Sequence, residues 1–168
     1  MLNPIDTAAV IRDGGAVGRY PGQLHESVAW WLGACLVVTQ QARSIVVAHN
    51  GHPVITEFAS RLCRGAINAL HYACNVRHMG HQTEERFLTT LQHLQGAPGA
   101  WLSAAGDNGA TTVQIQLYNA EGTLLDETNG LAEIRRLIAE DRVPIPVNDQ
   151  AKGTIDVWPS APATGSRS

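Results

Sequence analysis

The sequence predicts a three-layer α/β/α domain built around a mixed, mostly parallel β-sheet. Short apolar runs that suit buried strands alternate with longer segments in which apolar residues recur at helical spacing. Two further strand-like segments flank a glycine-rich loop, and such a hairpin pairs its strands in antiparallel fashion. We therefore expect one domain over residues 1–141. The Pro-, Ser- and Gly-rich residues 142–168 are expected to form a linker and a flexible tail.

Each element follows from local pattern. Helical spacing of apolar side chains marks four segments, at residues 22–43, 56–72, 83–94 and 129–138. Thr83 is the expected N-cap of the third, and Asn129 is expected to open the fourth. Strands are predicted at "SIVVAH", "CNVRHMG", "AWLSA" and "VQIQLY". "NGHP" and "NAEG" contain the glycine and proline typical of loops and turns.

Composition argues against several classes of partner. The formal net charge is −3, so the chain has no basic field to attract nucleic acid. No apolar run approaches the roughly 18 residues of a membrane span, and the N-terminus lacks the pattern of a signal peptide. Cys35, Cys63 and Cys74 lie in apolar patterns and form no C-x-x-C pair, which predicts buried, reduced thiols. We expect a cytoplasmic protein without a nucleic-acid or membrane partner.

Several quoted segments, in order, resemble a known family. The stretch "GAWLSAAGDNGATTVQIQLYN" (residues 99–119) aligns without a gap with a loop written G-G-I-M-V-T-A-S-H-N-P followed by N-G-I-K-L-Y-N. "VVAHNGHPVITEFASRLCRGAINA" resembles a V-V-G-R-D-G-R segment and its helix, "IRDGGAVG" a D-I-R-G loop, and "GLAEIRRLI" the helix that follows. These motifs belong to the first domain of the α-D-phosphohexomutases, the phosphoglucomutase and phosphomannomutase family. The resemblance covers residues 11–138 and implies that domain's fold.

The reaction loop of that family is degenerate in this chain. Gly106 occupies the position of the serine that carries the transferable phosphate, and glycine has no side chain to phosphorylate. Asp107 replaces the histidine, whereas Asn108 matches the motif asparagine. We therefore predict no catalytic residue in the loop formed by Ala104, Ala105, Gly106, Asp107 and Asn108. Asp107 or Ser103 as an alternative phosphoryl acceptor stays open, although Asp107 is in a "GDNG" stretch typical of turns.

A second loop also departs from the family. His49, Asn50 and His52 occupy the first arginine, the aspartate and the second arginine of G-R-D-G-R. A guanidinium clamps a phosphate with a fork of donors, whereas a neutral imidazole does so poorly near pH 7. Together with Asp107 and Asn108, these three residues are the candidate ligand contacts.

These departures shape the predicted function. The resemblance assigns a metal loop, a sugar loop and a phosphate loop to three further domains, and we expect this chain to lack them. We predict a non-catalytic single-domain relative, a binding or assembly module linked to sugar-phosphate metabolism, without a cofactor. The alternative is a phosphotransferase half that is completed by mutase domains on another chain.

The histidines raise the possibility of a metal site. His49 and His52 flank one loop, and His78 and His81 flank another, at spacings that could place two imidazoles on one ion. No cysteine or carboxylate lies at comparable spacing. We therefore predict that these histidines hold no metal.

The first long helix carries two apolar stripes. Trp30, Ala34 and Val37 recur at i, i+4 and i+7, on a face different from that of Trp31. An apolar face centred on tryptophan is typical of an interface, unless a terminal segment covers it. We expect a homodimer that pairs these helices.

Overall fold

The computed structural model describes residues 6–20, 22–68, 74–94, 96–106, 111–140, 142 and 153–157. The helices are α1 (Thr7–Val10), α2 (Glu26–Gln40), α3 (Ile55–Ile67), α4 (Glu84–His93) and α5 (Ala132–Ala139), which a π turn at Glu127–Leu131 precedes. The strands are β1 (Gly15–Tyr20), β2 (Ser44–His49), β3 (Asn75–His81), β4 (Gly99–Ala105), β5 (Thr111–Tyr118) and β6 (Thr154–Val157).

The sheet is mixed, with strand order β1-β5-β4-β2-β3-β6. Strand β2 pairs in parallel with β3 and with β4, and β3 pairs in parallel with β6. Strand β5 is antiparallel to β4, as the predicted hairpin requires, and also to β1. The predicted α/β fold with a mixed, mostly parallel sheet is confirmed.

Helices cover both faces of the sheet. Residues of α2, α3 and α5 pack with Val47 of β2 in the larger hydrophobic cluster. On the other face Phe87 and Leu91 of α4 pack with Val46 and Ala48. Successive residues of a strand point to opposite faces, so the uninterrupted apolar run of β2 serves both layers.

Helices α2 and α3 approach each other closely at two glycines. A Cβ atom built on Gly33 would lie 2.1 Å from the carbonyl oxygen of Leu62. One built on Gly65 would lie 2.0 Å from the carbonyl oxygen of Trp30. Both contacts are with backbone, so neither neighbour can turn aside. The crossing therefore depends on the absence of a side chain at both positions.

Two strands, the short helix α1 and one helix start differ from the prediction. Strands β1 and β6 were not expected, and β6 lies within residues 142–168, where a linker and tail were predicted. The domain boundary at residue 141 itself stays a prediction. The last helical segment is capped by Asp126, whose carboxylate accepts from the N–H groups of Thr128 and Asn129, while the Asn129 side chain accepts from the N–H of Asp126. Thr83 caps α4 as predicted, accepting from the N–H of Arg86.

The proposed interface stripe on α2 is corrected. Ala34 and Val37 are fully buried within the chain, and Trp30 is partly buried against the same hydrophobic cluster. Helix α2 packs against both α3 and α5, so the chain itself covers a helix that is apolar most of the way round. The side chains of Ala34 and Val37 are therefore not available to a second copy.

In the part of the chain that the structure describes, no helix is long and apolar enough to cross a membrane.

Candidate functional site

The loop that follows β2 is tied to the end of β4. The side-chain amide of Asn50 donates to the carbonyl oxygen of Ala104 at 2.9 Å, and its oxygen accepts from the Ala104 N–H at 3.4 Å. Two residues further on, Nε2 of His52 lies 2.7 Å from the carbonyl oxygen of Gly106. The two loops in which ligand contacts were predicted are thus joined by hydrogen bonds.

Few reactive groups occur in the described part of the loop at residues 104–108. Ala104 is buried, Ala105 is exposed, and Gly106 has a φ of +100°, which favours glycine. Asp107 and Asn108 lie outside the described residues, so their predicted ligand contacts stay predictions. Ser103 is half-buried within β4, where it pairs with Gln114.

Three histidines each make the same kind of local hydrogen bond. In each of them Nδ1 accepts from the backbone N–H two residues later, at 3.0 Å for His49, 3.1 Å for His52 and 3.1 Å for His78. A backbone N–H can only donate, so Nδ1 holds a lone pair and the proton of the neutral ring is on Nε2. His52 uses that Nε2–H to hold Gly106.

The fold brings His49, His78 and His81 together at the ends of β2 and β3. The ring centroid of His49 is 5.8 Å from that of His78 and 6.4 Å from that of His81. Spacing alone had paired His49 with His52, and His78 with His81. Sequence spacing did not predict this cluster because it depends on a bulge in β3. The only local sign of the bulge is Gly80, which has a φ of +75°.

The bulge explains the shared face. Residues 78 and 81 would point to opposite faces of a regular strand because they are an odd number of residues apart. In the observed register Val47 lies opposite His78 and His49 lies opposite His81. Val47 and His49 share a face, so both partner histidines do as well.

The environment of His49 and His78 favours their neutral rings. Burial, and then the charges of His78 and His81, lower the pKa of His49 to about 4, and its side chain is buried, with 7 % of the residue exposed. Burial also lowers the pKa of His78, against a smaller opposing effect of the Val47 backbone. Protonation of Nδ1 in either ring would break the hydrogen bond that this nitrogen accepts from a backbone N–H. This contact therefore lowers the pKa of both rings, as burial does.

The described residues contain no group of three or more His, Cys, Asp or Glu side chains arranged to hold a metal. The tautomers of His49, His52 and His78 disfavour metal binding. A metal ligand needs a free lone pair on nitrogen, and the lone pair on Nδ1 of each neutral ring already accepts a backbone hydrogen bond.

We therefore expect the purified protein to contain no stoichiometric metal. The measurement is elemental analysis of protein prepared without a histidine tag or nickel resin. Zinc or nickel near one equivalent, lost in His49→Ala or His78→Ala, would contradict this prediction.

The cysteines have no exposed thiol to contribute to a site. Cys35, Cys63 and Cys74 are free and buried, as predicted, and burial raises the pKa of each to about 12. A thiol that stays protonated at neutral pH is a poor nucleophile and a poor metal ligand.

A separate cavity of about 640 Å³ lies between the end of α2 and the π turn. It is lined by Val38, Thr39, Thr128, Asn129, Gly130, Glu133, Leu137 and Arg142. Helix α2 ends shortly before β2 begins. The cavity therefore lies near the amino end of β2, whereas His49 is at the carboxyl end of that strand. Its polar side chains are paired with neighbouring residues outside the lining, as Glu133 is with Arg136 and Arg142 is with Glu140.

Comparison with known proteins identifies the fold. No protein-family model and no curated protein matches the sequence. Among solved structures, a phosphoglucomutase/phosphomannomutase family protein from Burkholderia thailandensis matches 92 % of this chain with a TM-score of 0.71 and 14 % identity. A proposed phosphomannomutase from Thermus thermophilus matches 86 % of it with a TM-score of 0.64 and 16 % identity. The matched region spans 34 % and 31 % of those two chains, so the likeness concerns about a third of each.

Proposed function

We propose that this chain is a non-catalytic relative of the phosphoglucomutase/phosphomannomutase family that serves as a binding or assembly module linked to sugar-phosphate metabolism. The fold and the ordered sequence motifs support the relationship. The main support for the loss of chemistry is that the motif alignment puts Gly106 at the acceptor position. In the structure the carbonyl oxygen of Gly106 is held by Nε2 of His52.

The second loop supports the same proposal. Phosphoryl transfer is catalysed mostly by positioned cations and donors that neutralise charge on the transferred group. His52 stands where the family has an arginine, and both of its ring nitrogens are used within the protein. Asn50, at the aspartate position, is likewise used to hold Ala104. The side chains of Asn50 and His52 therefore fix the shape of the loop, and their hydrogen-bonding groups are already used within the protein instead of binding a phosphate.

We expect the purified protein to show no phosphoglucomutase or phosphomannomutase turnover, with or without magnesium and a bisphosphorylated sugar activator. Gly106→Ser is expected to stay inactive as well, because restoring a hydroxyl does not restore the cationic groups that position the phosphate. The measurement is a coupled mutase assay with a family mutase as the positive control. Wild-type turnover that survives repeated purification would refute the proposal.

The alternative is a phosphotransferase half completed by mutase domains on another chain. The matched region spans about a third of the two mutase-family structures, which leaves room for such partners. Incubation with radiolabelled sugar bisphosphate and those domains would test it. A hydroxylamine-sensitive label lost in Asp107→Ala would indicate an aspartyl phosphate, and a stable label lost in Ser103→Ala would indicate a seryl phosphate.

We further propose that the protein is cytoplasmic and assembles as a homodimer, with another mutase chain as an alternative partner. Because Ala34 and Val37 are buried, only the partly exposed Trp30 of the original stripe is available for contact.

Sedimentation equilibrium at tens of micromolar protein tests the dimer. We expect a dimeric wild type that Trp30→Glu weakens, with Arg64→Glu on the exposed side of α3 as the control. A monomeric wild type would remove the dimer from the proposal, and a dimer unchanged by Trp30→Glu would place the interface elsewhere.

A further inference from the structure

The outer edge of β6 presents backbone hydrogen-bonding groups. Strand β6 is the last strand of the sheet, and among the described residues it pairs only with β3. The Thr154 N–H donates to the carbonyl oxygen of Cys74 at 3.0 Å, so the backbone of Thr154 faces the sheet. Backbone groups of successive strand residues point to opposite sides. The N–H and C=O groups of Ile155 and Val157 therefore face outward.

Side-chain hydrogen bonds hold this strand against β3. Nδ2 of Asn75 donates to Oγ1 of Thr154 and to Oδ2 of Asp156, both at 2.9 Å. A strand that is already fixed in an extended conformation has less backbone entropy to lose when a further strand pairs with it. The outer edge is therefore prepared for pairing.

The α3 face of β6 is apolar and uncovered by the described residues. Ile155 pairs with Val76, which is in the larger hydrophobic cluster, so Ile155 and Val157 lie on the face that α3 covers. They are the exposed large hydrophobic residues of the described chain, at 36 % and 76 % exposure. An edge strand with free backbone groups and apolar side chains is a template for another strand.

The sequence of β6 is complementary to an antiparallel copy of itself. With Ile155 on a two-fold axis, Thr154 of each copy lies opposite Asp156 of the other. Oγ1 of Thr154 accepts from Asn75, and its O–H can donate to that carboxylate. An axis at Asp156 would instead place two carboxylates opposite each other, which is destabilising. Complementarity thus favours a second copy as the partner and Ile155 as the centre.

The position of Trp30 is compatible with this edge. The carbonyl oxygen of Trp30 lies against Gly65, near the end of α3. Two residues later, the carbonyl oxygen of Ile67 accepts the N–H of Gly153, directly before β6. A contact centred on β6 can therefore include Trp30 at its rim.

We propose that two copies of this chain pair through the outer edges of β6, antiparallel about a two-fold axis at Ile155, so that one sheet continues through both copies. This inference rests on the proposed homodimer and specifies its interface.

Amide hydrogen exchange, followed by NMR on isotope-labelled wild type, tests the pairing. It is measured at protein concentrations below and above the dissociation constant that sedimentation equilibrium gives. The Ile155 N–H is expected to exchange at least about tenfold more slowly in the dimer, where it is bonded, than in the monomer. The Thr154 N–H is the internal control, because it is bonded to Cys74 within the chain at both concentrations.

Ile155→Pro removes the outward N–H and no hydrogen bond to β3, a position at which an edge strand tolerates proline. The symmetry removes two intermolecular hydrogen bonds at once, so dimerisation is expected to weaken about tenfold or more. Ile155→Val keeps the N–H and an apolar side chain, and this matched control should dimerise as the wild type does. Far-UV circular dichroism establishes that both variants fold. If Ile155→Pro does not fold, the exchange measurement decides the question.

Other results would overturn the inference: a dimer in which the Ile155 N–H exchanges as fast as in the monomer, equal dissociation constants for the two variants, or slow exchange of this N–H in a monomer, which would show that the same chain covers the edge. A monomeric wild type would refute this interface and the proposed homodimer together. Mutase turnover would refute only the non-catalytic role, so the two proposals fail separately.

Discussion

Replacing Gly65 by alanine is expected to destabilise the protein by roughly 3 kcal/mol or more, at the upper end for overpacked cores. An alanine in place of glycine normally stabilises a helix by about 1 kcal/mol, so the expected sign is opposite to the propensity effect. The reason is the backbone contact, because the new Cβ would lie 2.0 Å from the carbonyl oxygen of Trp30. Helices α2 and α3 would have to separate, and the larger hydrophobic cluster would lose packing.

Urea denaturation followed by far-UV circular dichroism measures this loss. Arg64→Ala is the matched control, since it places an alanine on the exposed side of the same helix, one residue away. Gly33→Ala should behave like Gly65→Ala, and the double variant should lose less than the sum, because both enlarge the same crossing. A Gly65→Ala protein as stable as the Arg64→Ala control would contradict the close approach.

Acidification from pH 7 to pH 4 is expected to cost the wild type up to about 3 kcal/mol of unfolding free energy through His49 alone. Its folded pKa is about 4, below the ordinary value of 6.5. The unfolded chain therefore takes up a proton in this window while the folded chain does not, so stability present above pH 6.5 is lost as the pH falls toward 4. The lowered pKa of His78 adds a loss of the same sign.

His49→Asn separates this contribution from the carboxylates, which also titrate in acid. The asparagine oxygen can accept the Gly51 N–H in place of Nδ1, but it does not titrate. Urea unfolding at a series of pH values should show a shallower loss for His49→Asn than for the wild type. The exposed His93→Gln serves as the control and should follow the wild type. Equal slopes for His49→Asn and the wild type would show that His49 titrates alike in both states.

Local pattern was sufficient for much of the fold. Helices α2, α3 and α4 and strands β2 to β5 were predicted, because amphipathic spacing and apolar runs are properties of single segments. Strand β1 was missed because "GAVGRY" alternates weakly and contains two glycines. Strand β6 was missed because all four of its residues are exposed and its neighbours suggested a tail.

The candidate site was predicted only in part. Gly106, His49, Asn50 and His52 could be selected from their positions in the motifs. Their partners could not, since the hydrogen bonds from Asn50 to Ala104 and from His52 to Gly106 each join residues 54 positions apart. Ala34 and Val37 looked like an outer face because a helical stripe does not reveal how many neighbours cover it.

The sequence by itself determined that residue 106 has no side chain, because that depends only on which residue is present. It also determined the alternation of strands and helices, since periodicity is local. The tertiary structure decided which histidines meet and which of their nitrogens carry the proton. A bulge in β3 places His78 and His81 on the face of His49, and backbone N–H groups then fix the tautomers of His49 and His78. Register and hydrogen-bond partners are relations between segments, so they exist only once the chain has packed.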